Sequence, residues 1–135
     1  MNFENDLITI ANEKNLSLTE NPFGIKRLWP NSYVQLFYNE FCKVLKDYVL
    51  SPNILEIEQK NELNLVLWNC YFRNGLVHNK KLKEILNSKR NLIKYNMIIV
   101  SCKLIKNNNH LVEELFYLLR FNGVIIIEDI GRNSD

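Results

Sequence analysis

A chain of 135 residues is long enough for one domain with a buried core and too short for two ordinary ones. Its composition, 47% hydrophobic and 24% charged, lies in the globular range and excludes a disordered or low-complexity chain. A formal net charge of +2, spread along the sequence, is too small to specify nucleic acid as a partner.

Cys42, Cys70 and Cys102 are odd in number and far apart in apolar segments, which indicates neither a disulfide framework nor a Cys-x-x-Cys metal site. No apolar run approaches the roughly 18 to 20 residues that cross a bilayer. The polar start Met1-Asn2-Phe3-Glu4-Asn5-Asp6 lacks the basic-then-apolar order of a signal peptide, so the expected compartment is the cytoplasm.

In chain order, Leu7, Ile8, Ile10 and Ala11 predict a short helix over residues 6–14, with Asn5 or Asp6 as its cap. Residues 15–30, broken by Asn21-Pro22, Gly24 and Pro30, read as a wrapping loop able to act as a lid. The predicted organisation is therefore an N-terminal helix and loop over 1–30 followed by an α/β body over 31–135. From Asn31 or Ser32, the aromatic stripe of Tyr33, Leu36, Phe37, Phe41, Val44, Leu45 and Tyr48 predicts a long helix, stopped by Ser51-Pro52. Asn53-Ile54-Leu55-Glu56-Ile57 reads as a buried parallel strand. Leu63, Val66, Leu67, Cys70 and Tyr71 share a helical face over 61–72.

Asn74-Gly75 marks a turn before a very short strand at 76–78 and a basic helix over 80–86. The basic run Lys80, Lys81, Lys83, Lys89 and Arg90 is the solvated face of that helix and its following loop or, alternatively, a phosphate or RNA contact. Met97-Ile98-Ile99-Val100 fits a central strand, and Leu111, Leu115, Leu118 and Leu119 line the inner side of a helix over 107–121 that Asn122-Gly123 terminates. Val124-Ile125-Ile126-Ile127 is a further buried strand leading to Glu128-Asp129. Such alternation predicts a Rossmann-like α/β three-layer sandwich with a short, mostly parallel sheet. Ligands of these sheets bind at the strands' carboxyl ends, here residues 58–62, 101–104 and 128–131.

Taken together, these segments resemble methyltransferases of the macrocin O-methyltransferase and cephalosporin hydroxylase-like group, members of the class I S-adenosylmethionine-dependent fold. Tyr33, Phe37 and Phe41 match its aromatic helix; Ile54-Leu55-Glu56-Ile57 with Leu65, Leu67, Trp68, Tyr71 and Phe72 match its first strand and helix. Tyr95-Asn96-Met97-Ile98-Ile99 is similar to its Phe-Asp-x-Ile-Ile strand. The run from Leu118-Leu119-Arg120-Phe121-Asn122-Gly123 to Ile127-Glu128-Asp129 is similar to its Leu-Leu-Lys-Pro-Gly-Gly-Val-x-x-Ile-Glu-Asp. The resemblance implies a truncated methyltransferase fold that holds S-adenosylmethionine near Glu56, Ile57 and Asn61 and magnesium at Glu128 and Asp129. The implied reaction is O-methylation of a sugar or small-molecule hydroxyl.

The chain departs from the group where its chemistry lies. Glu58, Glu62 and Leu63 replace the glycines that let a cofactor approach the backbone. Roughly twenty residues, including the acid expected to hold the ribose, are missing between Phe72 and Tyr95. Val100-Ser101-Cys102-Lys103-Leu104 stands where Asp-Asp-Gly-Ser-His supplies a ligand and a base. His110 is then a surface residue or a displaced base, and Asn61 a cofactor contact or a helix cap. Glu128-Asp129 could equally cap the following segment. The alternative function is a catalytically dead relic that serves as a binding or assembly module, including a homo-oligomer through a sheet edge left open where the chain ends.

Overall fold

The computed structural model describes residues 6–13, 33–59, 62–86 and 93–128. The chain divides into two compact units, one comprising Met1–Pro52 with Lys60–Gly75 and the other Asn53–Gln59 with Leu76–Asp135. Among the described residues, no helix is long and apolar enough to cross a membrane. The predicted wrapping loop lies outside the described residues.

The first unit holds helices α1 (Asp6–Glu13), α2 (Tyr33–Tyr48) and α3 (Glu62–Tyr71). Its core is aromatic. Tyr38 of α2 lies 5.9 Å from Trp68 of α3, Trp68 lies 6.0 Å from Phe72, and Phe72 meets Tyr71 edge-on at 4.8 Å. Such pairs each contribute about 0.5–1.5 kcal/mol beyond area burial. The buried face of α2 is Tyr38, Cys42 and Leu45, whereas Phe37 and Tyr48 of the predicted stripe are 50% and 85% exposed. Two adjacent apolar stripes run along this helix, and periodicity alone does not say which one faces inward. Phe37 and Phe41 on the outer stripe stack in parallel, 6.0 Å apart.

The second unit is built on strands β1 (Asn53–Ile57), β2 (Leu76–Lys80), β3 (Tyr95–Ser101) and β4 (Leu119–Glu128), with helices α4 (Leu82–Leu86), α5 (Cys102–Asn107) and α6 (Leu111–Tyr117). The strands form one parallel sheet in the order β2-β1-β3-β4, in the predicted Rossmann-like manner. The registers Leu55↔His78 and Leu55↔Ile98 set β1 at the centre of this pairing. Every residue of β1 is buried, and so are residues 95–100 of β3, which is why neither shows the apolar–polar alternation of a half-solvated strand. One face carries Leu55, Ile57, Ile98 and Val100, packed with Ile85 of α4 and Leu111 and Leu115 of α6.

Within the predicted helix over 107–121, the helix proper is α6, preceded by a separate helix, α5, and followed by the start of β4 at Leu119. Ser101 caps α5 by accepting a hydrogen bond from the Leu104 amide, so helix begins directly after β3. Asn108 ends it, leaving the helical region at φ −138° and donating from its side chain to the Leu104 carbonyl. The helix α6 closes at Leu118, and Leu119 already pairs with Tyr95. Val124 is the next aligned partner, opposite Met97, so residues 120–123 stand against Asn96 alone.

That bulge explains Asn122-Gly123 differently from a helix stop. Asn122 takes φ 63°, a region asparagine tolerates better than most residues, and Phe121 is 94% exposed. A Cβ on Gly123 would stand 2.9 Å from the carbonyl oxygens of Arg120 and Tyr95. Asn96, 7% exposed, anchors the bulge: its Oδ1 accepts from the Asn53 amide at 2.9 Å and from Arg120 at 3.2 Å. Gly123→Ala should therefore lower the unfolding free energy by about 1–3 kcal/mol, as overpacking does. Phe121→Ser, at an exposed site, should stay within about 0.5 kcal/mol of the parent in the same urea titration.

Candidate functional site

The strand order reverses between β1 and β3, because the chain passes from β1 outward to β2 and then returns to the other side for β3. In parallel sheets the carboxyl ends flanking such a reversal are where ligands enter, since the two following connections diverge there. The candidate site is thus bounded by residues 57–59, by Val100 and Ser101, and by Glu128, which lies opposite Ser101 in the register.

The turn after β1 is held by its own side chains. Glu58 adopts φ 54°, a left-handed conformation that costs an ordinary L residue about 1–2 kcal/mol. Its amide donates to the Lys80 carbonyl at 2.9 Å, and its Oε1 accepts from the amide of Leu82, the first residue of α4, at 2.8 Å. A carboxylate at that position satisfies one of the helix's unpaired amides and favours its positive end. Next to it, the Gln59 amide donates to Asn79 Oδ1 at 3.1 Å, and Asn79 Nδ2 donates back to the Gln59 carbonyl at 2.8 Å. Both amides of the turn are thereby committed to β2.

The residues assigned to the cofactor are differently placed. Glu56 is 1% exposed and accepts a hydrogen bond from Gln59 Nε2 at 3.2 Å. Ile57 puts its side chain into the apolar cluster with Leu55 and Val100. Asn61 lies outside the described residues, as does Asp129, so Glu128 is the described member of the acidic pair. Among the described residues, no three or more His, Cys, Asp or Glu side chains gather as a metal site. Ser101 is engaged as the α5 cap, and His110, 84% exposed, stands 3.7 Å from Glu113 ahead of α6.

One ionisable pair escaped the sequence reading. His78 of β2 and Tyr95 of β3 reach across the intervening β1, and Nδ1 of His78 lies 2.7 Å from the Tyr95 hydroxyl. Nothing in the local pattern around His78 signals this contact, which depends on the order of three strands. Burial, helped by the charge of Lys80, holds the His78 imidazole below its ordinary pKa.

These features define a small α/β domain of Rossmann-like type whose turn after β1 is held by hydrogen bonds to β2 and α4. No family model, curated protein or solved structure matches the chain.

The lowered pKa of His78 has a definite sign in stability. As pH falls below the unfolded value of about 6.5, the unfolded chain takes up the proton first. The contribution is complete above that value and is lost as pH passes through the lower folded one. Between about pH 7.5 and 5, the urea midpoint of the parent should fall more steeply than that of His78→Asn. Parallel curves for the two proteins would remove His78 from the acid response.

Proposed function

We propose that this chain is a methyltransferase-like α/β domain without methyl-transfer activity, which works as a binding or assembly module. The observation that carries the reading is the closed turn after β1. In the resembling enzymes this segment is glycine-rich so that a cofactor can approach the backbone. Here Glu58 keeps a backbone angle that glycine would adopt freely, yet its side chain caps α4 and its amide serves β2. Gln59 is tied to Asn79 through both its amide and its carbonyl. Adenosylmethionine does not fit this arrangement, because it would have to displace hydrogen bonds that close the fold.

One further observation supports the reading: Ser101 is used as a helix cap at the end of β3, where the resembling enzymes carry catalytic groups.

Isothermal titration of the protein with S-adenosylhomocysteine, with magnesium present, should give a flat trace up to about millimolar ligand, a range in which even weak binding releases measurable heat. Saturating heat that Glu56→Ala or Asn61→Ala abolishes would return the chain to the sugar or small-molecule O-methyltransferases. In that case Glu56, Ile57 and Asn61 hold the cofactor, and Glu128 and Asp129 hold magnesium.

The capping role of Glu58 has its own signature in stability. Glu58→Ala should cost about 1 kcal/mol, since it removes a cap and keeps the unfavourable φ. Glu58→Gly loses the same cap and relieves that φ, so it should unfold at higher urea than the alanine variant, by the equivalent of about 1 kcal/mol. Equal midpoints would mean that the strained turn has relaxed.

A further inference from the structure

We propose that the helical unit carries a binding site for a small amphipathic anion, in the cavity between Lys46 of α2 and Arg73 beyond the end of α3. Its volume is about 310 Å³, near the lower end of the roughly 300–1,000 Å³ occupied by ligand pockets. A compact ligand is implied, smaller than a nucleotide. The site stands whether or not the turn after β1 admits a cofactor, because every lining residue belongs to the helical unit.

The lining chemistry selects the charge. Lys46 and Arg73 offer hydrogen-bond donors and no acceptors, and among the described lining residues there is no aspartate or glutamate. The Lys46 ammonium is drawn to the wall, 4.6 Å from the centre of the Tyr71 ring, where a cation is attracted to the aromatic face. Arg73 is presented by a turn fixed by the Gly75 amide donating to the Phe72 carbonyl at 2.9 Å. Two cations without a lining acid favour a carboxylate or phosphate head group, with guanidinium suited to a two-pronged contact.

The remaining surface selects the body of the ligand. Tyr71 and Phe72 are 1% and 3% exposed and pack edge to face, so they form a firm aromatic floor. Leu50 and Pro52 add apolar wall. A short aryl or alkyl chain bearing one anionic group satisfies both halves, whereas a free inorganic anion would leave the apolar half wet. Pro52 and Asn74 precede β1 and β2 in the chain, so this cavity is separate in sequence from the carboxyl-end site.

The test is a titration of the full chain with 3-phenylpropionate and with phenyl phosphate, followed by two-dimensional amide NMR. The uncharged 3-phenylpropan-1-ol and inorganic phosphate serve as the separated halves. Saturable shifts centred on residues 70–75 are expected for at least one of the two anions, with affinity at least about tenfold above either half, the effect of one charge-assisted contact. The double variant Lys46→Gln, Arg73→Gln should weaken binding at least about tenfold. Both side chains are exposed, so the variant should retain the parent's circular dichroism spectrum. Absence of saturation, equal affinity for the alcohol, or equal affinity in the double variant would each overturn the site.

Discussion

Residues 54–56 and 97–99 lie side by side in parallel register, and every one of these residues is buried. Backbone amides and carbonyls placed there have no water to turn to, so they must satisfy one another along the ladder. Most other features of the sheet unit follow from that constraint. Once β1 and β3 are joined, β2 and β4 are forced outward to either side, and the order of the sheet reverses between the central pair. The amino end of the pair is fixed by side chains as well, because Asn53 and Asn96 are both buried and Asn96 accepts from the Asn53 amide. Asn53 in turn donates to the Lys94 carbonyl at 2.9 Å, which places the entry to β3.

At the carboxyl end of β1, the turn is held by its own side chains. A turn that must change direction sharply requires a left-handed residue, and glycine would supply it without cost. Glutamate supplies it at a cost of about 1–2 kcal/mol, offset by a capping interaction of similar size. The reciprocal bonds between Gln59 and Asn79 then hold the turn against the outer strand. In the helical unit, Lys46 and Arg73 are the charged side chains among the described residues that line the cavity.

Much of the architecture was legible in the residues. Residues 97–100 announce a buried strand through uninterrupted apolar character, residues 53–57 do so through Ile54, Leu55 and Ile57, and Ser51-Pro52 marks the stop ahead of β1. The short strand predicted at 76–78 extends to Lys80, because pairing with β1 carries Asn79 and Lys80 into the ladder despite their polarity. The helix α5 was hidden, since it rests on the Ser101 cap and on the Asn108 side chain bonding the Leu104 carbonyl, which composition does not reveal. The buried side of α2 was equally hidden, because Phe37 and Tyr38 are both aromatic neighbours and only packing distinguishes them. For the candidate site, the replacement of glycine by Glu58 was visible in the sequence. The cap it makes to Leu82 depends on a contact across 24 residues and was not.

The bulge at residues 120–123 also governs how the border of the sheet behaves. An outer strand of consecutive β-branched residues is ordinarily a template on which a foreign strand can grow without limit. Here the continuous stretch beyond the bulge is residues 124–128, which at about 3.3 Å per residue offers roughly 16 Å of template. The protruding Phe121 and the kink at Asn122 obstruct any strand that tries to continue past Gly123. Among the described residues, regular pairing along this border is thereby limited to a short stretch, and long ladders are disfavoured by geometry rather than by charge.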